Sequence, residues 1–409
     1  MVGAGKASAR MSLALEQILL PVFGRKRMTG WVNVPEDCVL PGDTIHLHGA
    51  RPPGLNEPTA AGVNGTREML RLLHDLTPGD LCFCLLSGGG SALLPAPVPE
   101  IRLAEKCELT RFLSTSGATI NELNTVRKQL SEIKGGGIRR LCGGKTLYTL
   151  ILSDVLGDPL DIIASGPTVE NTTGPKDALE VLDRWNIGTE NFPQFAGIYA
   201  YLCKKSTQTS RRELVDDSFH RNIVIGNNAV AVDAAGIEAE RLGYSHAMVS
   251  ARQSEGSAEE VGLHLLEVAQ SMCGGRPNCF ISGGEPTVRL PDTTRRGKGG
   301  RNQQLILAVL VELLKQKDSG PLGFAMLSGG TDGEDGPTDA AGAFLDDTVF
   351  QNALRHPEWD AADFLDRCDA YHYFEQIGGL LKTGPTGTNV CDLRVVIVND
   401  AKDGTLTPR

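Results

Sequence analysis

The sequence predicts an α/β protein built as two domains with largely parallel sheets. Short continuous apolar runs bounded by glycine, Leu81–Leu86 above all, have the length and composition of strands covered on both faces. Stretches of helical apolar period alternate with them along the chain. The alternation pauses at the charged, apolar-poor stretch Lys204–Asp217 and then restarts, which places the domains at residues 1–219 and 220–409.

In chain order, Val2-Gly3-Ala4-Gly5-Lys6 reads as a very short strand running into a glycine turn. Lys6–Leu20 carries apolar residues at helical spacing and is expected to stop at Pro21. Gly30–Leu47 reads as short strands in loops, and residues 51–58 as a proline-rich turn region. Ala60–Leu76 is a helix and Leu81–Leu86 a strand. Leu103–Leu113 and Ile120–Ile133 are helices, the second stopped by Gly135-Gly136-Gly137. Leu147–Leu152 is the next strand and Lys176–Trp185 the next helix. Beyond the linker, strands at Ile223–Ile225, Met248–Ser250, Asn278–Ile281, Phe324–Leu327 and Leu393–Val398 alternate with helices at Ala229–Leu242, Ala258–Met272, Asn302–Leu314 and Ala361–Tyr373.

Composition narrows the function classes. Of 409 residues, 41% are apolar and 22% charged, which suits a packed core and not a disordered chain. No run reaches the roughly 18 apolar residues of a spanning helix, so no membrane partner is expected. A net charge of −10 argues against a general nucleic-acid binder. The ten cysteines include no C-x-x-C pair, which leaves zinc and thioredoxin-type readings unsupported and points to a reducing compartment. Glycine is in excess, 48 residues against about 29 from average usage, as suits many tight turns and close approaches to a ligand.

One pattern recurs at strand ends. It reads Ser87-Gly88-Gly89-Gly90-Ser91, then Ser282-Gly283-Gly284-Glu285, then Ser328-Gly329-Gly330-Thr331-Asp332, and a fourth strand ends in Ser153-Asp154. In open α/β sheets ligands bind beyond the carboxyl ends of strands, where glycine lets main-chain N–H groups approach an anion. Basic residues supply the matching charge. Arg127 and Lys134 are expected on one face of one helix. Arg295, Arg296, Lys298 and Arg301 cluster in a glycine-rich loop before Asn302, as in an anion clamp. Asp154, Glu285, Asp332, Glu334, Asp335 and Asp339 are the candidate carboxylates for a phosphoryl-transfer site, with Asp332 and Asp335 the candidate Mg²⁺ ligands.

Two partial motifs fail. Gly143-Gly144-Lys145-Thr146 lacks the glycine a Walker A loop needs, because Arg139 stands there, and it precedes a strand. Gly3-Ala4-Gly5 opens like a dinucleotide fingerprint, but the sixth position is Ser8. No histidine triplet and no nucleophile elbow with a paired histidine occur.

The longer motifs identify a family. Val2–Ala7, Leu86–Pro97 (LSGGGSALLPAP), Asn124–Gly136 (NTVRKQLSEIKGG), Leu152–Thr168, Gly283–Leu290, Gly299–Gln303 (GGRNQ), Leu327–Gly342 (LSGGTDGEDGPTDAAG) and Thr383–Asp392 closely resemble the class II glycerate 2-kinases. The resemblance spans nearly the whole chain, is closest to the animal enzymes, and names the C-terminal part a MOFRL domain. It implies a Rossmann-like N-terminal domain, an active-site cleft between two α/β domains, and Mg²⁺- and ATP-dependent phosphorylation of D-glycerate at its 2-hydroxyl. Lys6, Asp154 and Arg301 match the family's key residues. Ser87 to Ser91, Arg127, Lys134, Gly283, Gly284, Glu285, Asn302, Gly329, Gly330 and Asp332 follow as the substrate- and nucleotide-binding set. A homodimer and a cytoplasmic location, with a mitochondrial form left open, complete the expectation. The family carries several tens of helical residues before the first glycine turn, so the chain is expected to be truncated there. It also reads Gln304 where the family often has Glu. The rival reading is an NAD(P)-dependent hydroxypyruvate reductase, which the broken fingerprint at Ser8 disfavours. A ligand-binding homologue without activity is the second rival.

Overall fold

Apolar runs and glycine turns organise the chain into two α/β units. One comprises Met1–Ser153 and Asp158–Ile225, the other Asp154–Gly157 with the chain from Gly226 onward. The computed structural model describes residues 1–188, 191–208, 215–272, 275–316 and 320–398. The expected linker Lys204–Asp217 lies partly outside these residues, and its first part, up to Thr207, ends the helix Ala196–Thr207.

The first unit holds a six-stranded, all-parallel sheet. Its strands are β1 (Val2–Ala4), β2 (Gly30–Pro35), β3 (Ile45–Arg51), β4 (Leu81–Leu86), β5 (Thr146–Leu152) and β6 (His220–Gly226), in the order β3-β2-β1-β4-β5-β6. β1 has only three residues, yet it is central, paired with β2 on one side and β4 on the other. It can be that short because all three residues are buried. A second cluster packs the helices Leu103–Thr115, Ile120–Gln129, Pro175–Arg184 and Ala196–Thr207 around Leu109, Leu123, Val126, Leu182, Phe195 and Leu202.

The second unit holds β7 (His246–Ser250), β8 (Cys279–Gly284), β9 (Phe324–Gly330), β10 (Gly342–Leu345), β11 (Leu380–Leu381) and β12 (Asp392–Val398), in the order β11-β10-β9-β12-β8-β7. Here the expectation of a largely parallel sheet needs correcting. β7 and β8 are parallel, but β12 runs antiparallel to both β8 and β9, and β10 antiparallel to β9 and β11. An apolar run buried on both faces reads the same in either direction, so its composition carries no orientation. The core is organised by the helix Arg301–Lys315, buried at every position from Asn302 to Val311. It packs against the helix Ala258–Met272, where a Cβ on Gly262 would collide with the Leu305 carbonyl. Each fully buried leucine or isoleucine in that interface contributes roughly 1.5–3 kcal/mol.

Three of the expected helices differ by more than two residues, each for a local reason. The first helix runs over Ser8–Phe23 with Pro21 inside its last turn, where the missing N–H costs one ladder bond rather than the helix. Ile120–Ile133 stops early, at Gln129. Beyond it Ser131 pairs with Pro97, and the Gln129 and Leu130 carbonyls accept from the Lys205 and Lys106 ammonium groups, 2.9 and 3.1 Å. Ala361–Tyr373 splits into Ala361–Asp366 and Ala370–Ile377. Between them, Arg367 O and Asp369 Oδ1 accept from Gly297 N and Lys298 N of the glycine-rich loop, 2.8 Å each.

Candidate active site

The order of the first sheet creates a switch point between β1 and β4, the place where open α/β sheets receive ligands. The turns Gly5-Lys6-Ala7 and Ser87–Ser91 both open there and are stitched to each other. Lys6 N donates to Gly88 O at 3.0 Å, Ser87 N to Ala4 O at 3.2 Å, and Ala7 N to Ser87 Oγ at 3.1 Å. Gly5 is indispensable: its φ is +145°, and a Cβ would overlap the Ser87 hydroxyl. The amides of the first turn are therefore already used. Those of Gly88 and Gly89 donate to nothing among the described residues. Lys6 stands half-buried at this corner.

Arg127 and Lys134 do not share a helix face, because the helix ends between them. The structure still brings them within electrostatic reach of one another, together with Lys106. The Lys134 ammonium donates to Ser91 O at 2.7 Å and lies 3.4 and 3.5 Å from the Ser91 and Ser165 hydroxyls. Those hydroxyls are 2.7 Å apart, and Ser165 Oγ donates to Asn124 Oδ1 at 3.0 Å. Burial, reinforced by the Lys106 and Arg127 charges, pushes Lys134 well below the usual lysine range. Burial and the Arg127 charge bring Lys106 down to about 7. Ala164 and Ser165 both hold positive φ, +50° and +62°. Such strain concentrates at functional positions. Sequence reasoning missed Lys106, Asn124 and Ser165. The first two sit on amphipathic helices where burial cannot be read residue by residue.

In the second unit the Ser-Gly-Gly pairs do not form turns. Gly283-Gly284 and Gly329-Gly330 are the last residues of β8 and β9 and flank Asp392 at the start of β12. Their missing side chains make room for neighbours. A Cβ on Gly284 would fall inside the Glu255–Arg394 ion pair, and one on Gly283 inside the Asn228 amide. Arg301, the first residue of its helix, is held by two carboxylates. Its Nε and Nη2 donate to Asp392 at 2.6 and 3.0 Å, and its Nη1 to Glu285 at 2.8 Å. Burial alone would weaken the guanidinium charge. The bidentate bond to Asp392 and the charges of Asp392 and Glu285 outweigh it, so the proton is held more tightly than usual.

Asp335 is spoken for. Its Oδ1 accepts from Asn302 N and Nδ2 at 3.1 and 3.2 Å, and its Oδ2 from Gln303 N at 2.9 Å. It thus caps the helix Arg301–Lys315 from a distant loop. Ser328 Oγ extends the network to Asn302 Oδ1 at 2.5 Å. Burial raises the Asp335 carboxyl to about 6 despite these bonds. Asp332 is half-buried, its Oδ1 accepting from Glu334 N at 3.1 Å. Asp154 is half-buried too, and its carbonyl accepts from Cys391 Sγ at 3.2 Å. Asp392, fully buried, was not singled out from sequence, although it closes the Thr383–Asp392 motif.

A cavity of about 670 Å³ opens here, lined by Glu285, Val288, Leu290, Lys298, Arg301 and Asp332, among others. Lys298 Nζ sits 4.1 Å above the Tyr371 ring, while Arg296 is exposed at the mouth. No cluster of three or more His, Cys, Asp or Glu suited to a metal exists among the described residues. A Mg²⁺ ion that arrives on a nucleotide needs no such cage, since phosphates and water supply most of its ligands.

Comparison with known proteins agrees with this architecture. The MOFRL family matches residues 278–392, and a domain of unknown function (DUF4147) matches residues 1–196. A glycerate kinase of Rattus norvegicus is 37% identical, over 97% of this chain and 84% of its own. A glycerate 2-kinase of Pyrococcus horikoshii is 36% identical, over 85% of this chain and 77% of its own. The crystal structure of a glycerate kinase from Thermotoga maritima superposes with a TM-score of 0.83 at 32% identity, covering 97% of this chain and 91% of that one.

Proposed function

We propose, from the premise that this chain belongs to the glycerate kinase family, that it transfers the γ-phosphoryl group of ATP to the 2-hydroxyl of D-glycerate. The observation that carries the reading is Arg301. A guanidinium fixed bidentately by a buried carboxylate, at a strand-end cavity large enough for a nucleotide, suits a reaction run by positioning and charge stabilisation. Asp392 sets the plane of Arg301. The bond to the more exposed Glu285 is the one that yields when a phosphoryl oxygen takes its place.

Lys6 neutralises charge on the transferring group. Asp154 orients the 2-hydroxyl and accepts its proton late, because that hydroxyl is too weak an acid to ionise beforehand. Mg²⁺ enters with ATP, and Asp332, which lines the cavity, is the carboxylate that meets it there, Asp335 being occupied as a helix cap. The reductase reading loses further ground. A dinucleotide pyrophosphate would need the amides of the first glycine turn, and these already bond to Gly88 O and Ser87 Oγ.

The test is direct. Purified protein with D-glycerate and Mg·ATP should release ADP at a rate that saturates in both substrates, and should leave NADPH untouched in the presence of hydroxypyruvate. NADPH oxidation without ADP release would replace the kinase reading with the reductase one.

A further inference from the structure

We propose that Arg127, backed by Lys106 and Lys134, is the receptor for the carboxylate of the hydroxy-acid substrate. The proposal rests on the glycerate reading above and deepens it. Lys106 and Lys134 are 5% and 3% exposed, and Arg127 is half-buried between solvent and core. The charges that act on Lys134 are Lys106 and Arg127, and the strongest on Lys106 is Arg127. None of the three pairs with an aspartate or glutamate among the described residues. Lys106 and Lys134 donate only to carbonyl and hydroxyl oxygens. The Arg127 guanidinium donates to no described residue.

Three basic groups, two of them buried, repel one another when protonated and are poorly solvated, so without an anion the cluster holds its charge at a cost. An anion relieves it. The donors on offer select the anion's size. Only Arg127 has a free donor fork, and one fork pairs two parallel N–H groups with the two oxygens of a planar carboxylate. The two lysines act from beneath through their charge, fixed by the Leu130, Ser91 and Ala164 carbonyls. A triphosphate tail needs several donors in a row, and this cluster offers one fork. Behind the cluster, buried Ser165 and Asn124 hold the part-exposed Ser91 hydroxyl, the one member of this chain that reaches toward solvent and can meet a hydroxyl group next to the carboxylate.

A carboxylate and a phosphate share oxyanion chemistry, and kinetics separate them. Arg127→Ala should raise KM for D-glycerate by about 30-fold or more, the scale of a lost charged hydrogen bond, and leave KM for ATP within about threefold. Arg127→Lys keeps the charge without the fork and should fall between. Lys106→Met should raise KM for D-glycerate by roughly tenfold through the charge alone. A glycerate KM that moves less than about threefold in Arg127→Ala overturns the assignment, as does a rise in the ATP KM in its place. Should Arg127→Ala fail to fold, wild-type thermal shifts decide. D-glycerate and D-lactate, without nucleotide, should raise Tm, while the uncharged amide of glycerate should not. A shift with ATP or inorganic phosphate but none with the carboxylates overturns the proposal. This second test needs no turnover, so carboxylate binding without ADP release would refute the kinase reading and leave the receptor standing.

Discussion

One cluster of basic residues in each unit shows opposite treatments of positive charge, although the first unit also pairs buried Lys128 with Asp161. In the first, Lys106, Arg127 and Lys134 stand together without an acid. In the second, Arg301 is bound by Asp392 and Glu285, Arg394 by Glu255 in a bidentate pair at 3.2 and 2.7 Å, and Arg367 by Asp363 and Asp369. A cation with a buried carboxylate of its own is aimed by the protein before anything binds, as Asp392 aims Arg301. A cation without one is destabilising until a ligand supplies the missing charge. The difference separates cations whose charge the protein already answers from cations whose charge only a ligand answers.

The comparison can be broken by removing one cation from each side. Arg301→Ala should have the largest effect, lowering kcat/KM by about 100-fold or more. It should also cost about 3–5 kcal/mol of stability by stranding Asp392 in the interior. Adding Asp392→Asn should recover stability but not activity, as measured by urea unfolding beside the ADP-release assay. Activity within tenfold of wild type in Arg301→Ala would remove that residue from the chemistry.

Asp335→Ala comes next. It leaves three donors at the head of a buried helix without their acceptor and should cost about 2–4 kcal/mol. The sign of its pH dependence is fixed by the carboxyl value of about 6. The native state holds this proton to higher pH than the unfolded chain does. Its contribution to stability therefore declines as pH rises from about 4 to about 6, and is constant above. Unfolding curves of the wild type and Asp335→Asn across that window should differ in slope by this amount. Gly284→Ala should cost about 1–3 kcal/mol, because the added methyl meets the Glu255–Arg394 pair. An equal melting temperature for this variant would contradict the rigid-scaffold reading of the second unit.

The smallest effect has the opposite sign. Lys106→Met should stabilise the ligand-free protein, raising Tm by about 2–4 °C. The native value of about 7 lies below that of an unfolded lysine, so wild-type stability recovers as pH rises from 7 toward 10. The advantage of Lys106→Met should accordingly be greatest below pH 7 and fade above it. A loss of stability at neutral pH would show that Lys106 is as well compensated as Arg301.

Much of this was legible in the sequence, and the gaps have physical causes. The helix Ala258–Met272 was read to the residue, since apolar period and flanking glycines define it. The orientation of β12 was not, because an unbroken apolar run looks alike in both directions. Arg301 and Asp154 stood out as polar residues at strand or helix ends. Asp392 and Lys106 did not, because what makes them important is the charge they face, and those partners lie 91 residues from Asp392 at Arg301 and, for Lys106, at Arg127 in another helix. The three Ser-Gly-Gly segments looked equivalent, yet one is a turn with two free amides and two are strand ends thinned to admit neighbouring side chains. Glycine records that space is needed and leaves its occupant unstated.

The central claim, phosphoryl transfer to the 2-hydroxyl of D-glycerate, is tested most directly by following the phosphorus. ³¹P NMR of the protein with Mg·ATP and D-glycerate should show the γ-phosphate resonance giving way to that of 2-phosphoglycerate in step with ADP. Phosphate appearing on the 3-hydroxyl, or an ATP spectrum unchanged by D-glycerate, would contradict it.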